Sequence, residues 1–364
     1  MTTTRIRRDS IRIVGALVSK DIVDALKNRT TLSIFFTVIF LVALYRFMPL
    51  LYSSDVLPRV VIYSPEQTRL AASLDNRSDL DLRLVETRED MKAYIADTDF
   101  AVLGLEIPPG FDQALESGGT IEVDGHLAYW LGDDESAETR AFFEQRLAEI
   151  AGRPVTINLD GNTVYARPDS YGQAFFAAGS MIVAVLLVGI SLTTQLMLEE
   201  KQTKTLDALL VSPATPGNVV VGKALTGLFY CLIVGSIVLV IYANLVTHWW
   251  LAILLLVAGS LFAVSLGLLL GTVIELQSQI KLWTFILYQP LLIPVFLVIL
   301  SDILPQPLLT AFEWIPTVAW SFALRASFAE ITPVSSYALP LALLIASTMV
   351  LLAATTWFVQ RSES

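Results

Sequence analysis

Residues Pro216–Thr226 read PGNVVVGKALT. Gly217, Gly222 and Lys223 have the spacing of a phosphate-binding loop, G-x-x-x-x-G-K-[ST], in which backbone N–H groups and the lysine cradle phosphates between a strand and a helix. If that reading holds, the chain is a nucleotide-binding α/β protein. If it fails, the same residues open a membrane helix. The position that should carry the magnesium-binding hydroxyl is Ala224, and the preceding Ser212-Pro213-Ala214-Thr215-Pro216 is a turn, not a strand. The residues after Lys223 are predominantly apolar. The phosphate-loop pattern is therefore a chance match. Lys223 is expected to snorkel at a membrane face, and Gly222 to let another helix approach. Any ATP the protein uses belongs on another chain.

Working outward, the composition agrees with the membrane reading. The 364 residues are 54% hydrophobic and 16% charged, with mean hydropathy +0.63, outside the range of an ordinary soluble domain of this size. Met1–Thr31 is basic but has no apolar core ahead of a small-residue cleavage site, so it does not read as a secretory signal. The lone Cys231 excludes a disulfide framework, and His126 and His248 are too far apart to suggest a metal cluster. Six stretches reach the roughly 20 apolar residues needed to cross a bilayer: 32–52, 172–198, 224–246, 250–274, 282–300 and 337–359. Arg46 interrupts the first, near an end from which it can snorkel. A charge facing the bundle is the other reading.

Basic residues in the short flanks give the orientation. Arg5, Arg7, Arg8, Arg12, Lys20, Lys27, Arg29, Lys201, Lys204, Lys223, Lys281 and Arg361 fall on one side, whereas the short loops opposite carry Arg325. Both termini are expected in the cytoplasm and residues 53–170 outside. That outer segment holds 23 acidic and 10 basic residues, a balance of −13 against −10 for the whole chain. Such a balance suits a solvated surface or an acidic ligand-binding face, and makes nucleic acid an unsuitable partner.

Within 53–170 the pattern alternates between strand and helix. Val60–Tyr63, Leu80–Val85, Phe100–Leu105 and Ile121–Leu131 read as strands. Pro65–Leu74, the stretch from Thr87 to Ile95 with Thr87 as N-cap, Asp112–Glu116 and Glu135–Ile150 read as helices. Asp133, Asp134 and Glu135 suit a helix N-terminus better than a calcium loop. The segment is expected to be a small α/β domain on two stalks.

Residues 1–31 hold an amphipathic stretch, Ile11, Val14, Leu17, Val18, Ile22, Ala25 and Leu26, which reads as a helix in the membrane interface serving as an anchor or as a partner contact. Between the second and third spans runs Leu198–Ala224, LEEKQTKTLDALLVSPATPGNVVVGKA. It resembles the signature of ATP-binding-cassette type-2 exporter permeases: a span ending in an acidic-basic cluster (Glu199, Glu200, Lys201), then Thr205-Leu206, Leu209-Leu210, Ser212-Pro213 and Gly222-Lys223. Lys204 stands where that family usually has glycine. Ile107–Gly118, IPPGFDQALESG, resembles the family subgroup with a large domain after the first span. Trp314–Phe328, WIPTVAWSFALRASF, is similar to its re-entrant element before the last span.

The resemblance implies a polytopic α-helical membrane protein of six transmembrane helices with an inserted extracytoplasmic α/β domain. Its parts would be an interfacial helix (1–31), a first span (32–52), the outer domain (53–170) and a five-helix membrane domain (171–364). The last includes a coupling segment at 199–223 and an outer element at 301–336. The expected setting is the cytoplasmic (inner) membrane of a bacterium. The chain would be a permease with no catalysis or cofactor of its own, paired with an identical or sister permease. Two cytoplasmic ATPase subunits would bind ATP and magnesium.

The resemblance also implies site roles. Glu199, Glu200, Lys201, Thr205, Leu206, Leu209, Leu210 and Pro213 would couple to the ATPase, with Glu275, Gln277 and Lys281 a second contact. By composition alone the coupling stretch is equally an ordinary interfacial loop. Gln195, Gln289, Pro290 and Pro294 are candidates for the pathway between two copies, or for simple helix packing. Trp314, Pro316 and Arg325 are candidates for an outer gate. The substrate expected of such apolar spans is an amphiphile: a lipid, a drug or a peptide antibiotic. A gradient-driven transporter, an ion exporter and a membrane-tethered sensor are the alternatives. The spans show no acidic relay for the first of these, and six of them exceed what a sensor needs.

Overall fold

In a computed structural model, residues 2–52, 57–66, 68, 80–113, 121–202, 216–301 and 303–362 are described. The long apolar stretches form α5 (Gln173–Gln202), α6 (Pro216–Ile241), α7 (Trp249–Val273), α8 (Gln277–Leu297) and α11 (Val334–Ser362). Among the described residues five helices are long and apolar enough to cross a membrane. A sixth is reached if the pair α1 (Thr2–Lys27) and α2 (Arg29–Tyr52), bent by 71° at their junction, supplies one span. The third apolar helix begins at Pro216, earlier than hydropathy suggests. Pro216 takes the first helical position, where a missing N–H costs nothing, so the helix starts ahead of its most apolar part.

Helix α5 is the axis of the bundle and touches α2, α6, α7, α8 and α10 (Pro316–Ala326). Its contact with α7 explains the glycine pair Gly267 and Gly271. A Cβ on Gly267 would meet the Gly189 carbonyl oxygen at 2.7 Å, and Thr194 Oγ1 donates to the Gly267 carbonyl at 3.1 Å. Backbone lies on backbone, the small-residue contact membrane helices use in place of a hydrophobic drive. Gly267→Val should therefore destabilise the folded chain by roughly 3 kcal/mol. The change would be seen as a lowered unfolding midpoint in detergent. A midpoint equal to the parent's would contradict this packing.

Residues between α2 and α5 form a six-stranded sheet with β1 (Arg59–Tyr63), β2 (Asp81–Val85), β3 (Val102–Glu106), β4 (Ile121–Ala128), β5 (Val155–Asn158) and β6 (Thr163–Val164). The strand order is β2-β1-β3-β4-β5, with β6 beside β4 and only the β3–β4 pair antiparallel. Central β1 and β3 are buried along Val60, Val61, Ile62 and Val102, Leu103, Leu105. They are the continuous apolar runs expected of parallel strands covered on both faces. Helices α3 (Arg88–Ala96) and α4 (Asp133–Ala151) pack against the sheet. Thr87 caps α3: its Oγ1 accepts from the Asp90 N–H at 3.0 Å and donates to Asp90 Oδ2 at 2.7 Å. Asp133, Asp134 and Glu135 occupy the first turn of α4, where the helix dipole favours them. Of the expected helix at 65–74, Pro65 and Glu66 form a bend and most of the rest lies outside the described residues, as does the end of the one at 112–116. Strands β5 and β6 are each too short to show alternation in the sequence.

The sheet unit is seated on one end of the bundle, termed the sheet end. Tyr129 donates its hydroxyl to the Leu245 carbonyl at 2.8 Å, Asn244 Nδ2 donates to the Trp130 carbonyl at 3.0 Å, and Ala166 bridges Ala329. At the start of α5, the Tyr171 N–H donates to Asp97 Oδ1 at 3.0 Å and Gln173 Nε2 donates to the Asp99 carbonyl at 3.1 Å.

Burial pushes the Asp99 carboxyl up from 3.8 to about 6. The folded chain then binds more protons than the unfolded chain between those values. Stability is greatest below that window and falls as pH rises through it, by roughly 3 kcal/mol at most. Asp99→Asn is expected to match the parent's unfolding midpoint near pH 4 and exceed it near pH 7.5. A gain of equal size at both pH values would show that the carboxyl's ionisation is not the cause.

Candidate functional site

At the end of the bundle opposite the sheet, Lys223 lies in the second turn of α6 and Asp21 in the last third of α1. They meet at 2.8 Å with their side chains 3% and 5% exposed. The expectation that Lys223 snorkels to water is corrected here. Helix α1 lies across the start of α6, covers the lysine, and presents a carboxylate to the ammonium. Gly222 faces Leu17 at this crossing, where a Cβ would sit 3.4 Å from Leu17 Cβ, an ordinary contact. Tyr230 fixes the same crossing by donating to the Ile22 carbonyl at 2.7 Å, and its ring meets Phe35 of α2 edge-on at 5.2 Å.

The pair itself lines a cavity of about 260 Å³, together with Lys20, Asp24, Asn28, Gln195 and Glu199 among others. Gln195 Nε2 donates to Glu199 Oε1 at 3.1 Å, one helical turn on. Glu200 and Lys201 continue α5 in its final turn. Thr205, Leu206, Leu209, Leu210 and Pro213 lie outside the described residues. The segment that carries them joins Gln202 to Pro216, so it connects the last turn of α5 to the helix that Asp21 grips. A pull on that segment would reach α6 and, through the buried ion pair, α1.

Of the second expected contact, Glu275 is exposed in the link between α7 and α8, and Gln277 opens α8. Lys281 stands a turn further on and faces a different feature. This is a cleft of about 830 Å³ bounded by Ile34 of α2, Ser191 and Gln195 of α5, and Ser278, Lys281, Thr284, Phe285 and Tyr288 of α8. Of the four residues expected along a pathway, Gln195 lines this cleft. Gln289, Pro290 and Pro294 do not. The two prolines instead lie inside α8, which runs through them to Leu297 and is followed by a 3₁₀ turn at Val298–Leu300, while Thr317 Oγ1 donates to the Leu291 carbonyl at 2.5 Å.

Sequence reasoning misses Ser191, Thr284 and Tyr288. The signal is present all the same: Lys281, Thr284 and Tyr288 repeat at i, i+3 and i+7, and Ser191 and Gln195 at i and i+4, each a polar stripe on an apolar helix. Tyr288 and Ser191 share a hydrogen bond at 3.0 Å.

Toward the sheet end, α9 (Gln306–Glu313) and α10 form a short helical pair. Trp314 is 65% exposed at their corner, and Pro316 takes the first position of α10. Arg325, at the other end of α10, is about 16 Å away along the axis, so the three do not form one cluster. Arg325 is 1% exposed, its guanidinium lies 4.4 Å from the Phe322 ring centre, and Nη1 donates to the Ser170 carbonyl at 3.1 Å. It is a strut between α10 and the entry to α5.

These features define a multi-pass helical membrane protein with an ion-paired elbow and a polar cleft. Residues 29–357 match the model of the ABC-2 family transporter proteins, and the chain belongs to that family. It is similar to a protein of Escherichia coli strain K12, and to its counterpart in strain O157:H7, named there as a probable multidrug ABC transporter permease, YbhR. Each is 24% identical over 268 residues, covering 68% of either chain. The protein is an ABC transporter permease subunit, and its family implies a partner ATPase and usually a second permease.

Proposed function

We propose that the chain is the membrane subunit of an ATP-driven exporter that moves an amphiphilic or hydrophobic substrate out of the cytoplasm or inner leaflet. ATP and magnesium are held by a separate ATPase subunit, present in two copies beside two permeases. The observation that carries this reading is the placement of two helix ends: α5 stops at Gln202 and α6 starts at Pro216, at the end of the bundle that holds Lys20, Lys27, Arg29, Lys223, Lys281 and Arg361, so residues 203–215 connect them there. By the positive-inside rule that end faces the cytoplasm, with residues 53–170 outside. An ATPase gripping this connection moves α5 and α6, and through the buried Asp21–Lys223 pair α6 carries α1.

The name of the E. coli relative supports a drug-like substrate, and the mostly apolar bundle supports an amphiphile. On this reading Trp314, Pro316 and Arg325 brace the outer mouth, and Glu275, Gln277 and Lys281 lie next to the ATPase. The test is isolation of the tagged chain from native membranes with its companions, followed by transport into inverted vesicles. Substrate uptake that needs ATP and a co-purified nucleotide hydrolase is expected. ATP-independent uptake driven by an ion gradient would overturn the proposal.

A further inference from the structure

The cleft between α2, α5 and α8 has a chemical profile that the exporter reading leaves unused. Its one charged lining residue is Lys281, which is exposed and takes part in none of the ion pairs found among the described residues. One turn on, Thr284 is 6% exposed and its Oγ1 has no hydrogen-bond partner. Elsewhere in the bundle Thr226, Thr348 and Thr355 each donate to the carbonyl four residues back. Thr193, Ser260 and Ser321 share with Thr284 a buried hydroxyl without a partner, but of these four Thr284 is the one that lines the cleft, where a ligand oxygen would relieve the cost.

Beyond Thr284 the polar wall ends at the Ser191–Tyr288 hydrogen bond. Tyr288 also reaches the Leu187 carbonyl at 3.5 Å. Leu187 then lines an apolar crevice of about 80 Å³ with Val38, Val42, Phe176, Val183 and Phe296. Along α8 the order is thus a cation, a hydroxyl donor, a polar stop and an apolar slot.

We propose that this cleft binds an amphiphile with an anionic head, which Lys281 and Thr284 hold while its chain lies past Ser191 and Tyr288 in the apolar crevice. This rests on the exporter reading for the premise that the ligand is an amphiphile. At the edge of a low-dielectric slab, one ammonium without a counter-ion favours an anion and repels a cation more strongly than it would in water. The Thr284 hydroxyl can donate to a carboxylate, sulfonate or phosphate oxygen but gains nothing from a quaternary ammonium.

The test uses the full chain in nanodiscs of phosphatidylcholine, so that no anionic lipid competes. The probes are a dansyl-labelled undecanoate and the same chain ending in trimethylammonium. The undecanoate probe is expected to bind at least about tenfold more tightly, and Lys281→Glu to reverse the preference. Thr284→Val, nearly isosteric, should weaken the undecanoate probe about fivefold and leave the ammonium probe unchanged. Equal affinity for both probes, or an unchanged preference in Lys281→Glu, would overturn the proposal. Capture of an ATPase subunit is scored separately. Capture without charge preference sinks this inference alone. Charge preference without capture sinks the exporter reading and leaves the cleft's ligand class standing.

Discussion

Lys223→Met should cost the folded chain about 3–5 kcal/mol, because it leaves the Asp21 carboxylate buried with no counter-charge. Asp21→Leu should also destabilise the chain, because it removes the carboxylate that meets the buried ammonium at 2.8 Å. The double variant Asp21→Leu with Lys223→Met should recover most of the loss. Two apolar side chains of similar volume fill the crossing of α1 and α6, and neither charge is left to desolvate. Unfolding midpoints of the four proteins in one detergent give the comparison. If the double variant is as unstable as the sum of the single variants, the two side chains are not partners. If the single variants match the parent, the pair is not buried. The double variant also separates two roles. Restored stability with export still lost would mean that the charged pair transmits motion between α6 and α1 as well as holding them together.

Placing aspartate at both Leu209 and Leu210 is expected to abolish ATP-dependent export, a loss of more than about a hundredfold, with membrane insertion unchanged. In the segment between Pro216 and the last turn of α5, Leu206, Leu209 and Leu210 supply apolar side chains at i, i+3 and i+4, the pattern by which a short helix seats in a groove of another protein. Two buried carboxylates at such a seat cost several kcal/mol. No span is touched, so the chain should still insert. Export at the parent rate in this variant would remove the segment from the coupling path.

The membrane helices are legible in the sequence because an apolar run of twenty or more residues is longer than a soluble core can usually bury and matches the thickness of a bilayer. Their ends are less so: α6 starts at Pro216 and α8 at Gln277, where polar residues ride on a helix whose hydrogen-bond ladder is already running. Small residues four apart, as at Gly267 and Gly271, have a direct packing meaning, and these two glycines do lie against α5. Lys223 does not read correctly. A lysine beside a span looks like a snorkelling anchor until the partner is known, and Asp21 is about two hundred residues away in the chain. Arg325 presents the same difficulty, since its acceptor is a backbone carbonyl at Ser170, which no side-chain pattern marks. The prolines of α8 draw attention as pathway residues because they are conspicuous in a span. The cleft is instead lined by the hydroxyls of Ser191, Thr284 and Tyr288, visible only once the helical repeat is applied to polar residues.

The central claim is that residues 203–215 form the part of this permease that an ATPase grips from inside the cell. It is tested most directly by single cysteines at Leu206, Leu209 or Leu210. The native Cys231 is fully buried and stays out of the reaction. With a bifunctional thiol reagent in native membranes, these positions should capture a nucleotide-hydrolysing subunit, and a membrane-impermeant maleimide added to intact cells should leave them unlabelled. Labelling from outside the cell, or capture of no nucleotide hydrolase at any of the three positions, would contradict the account.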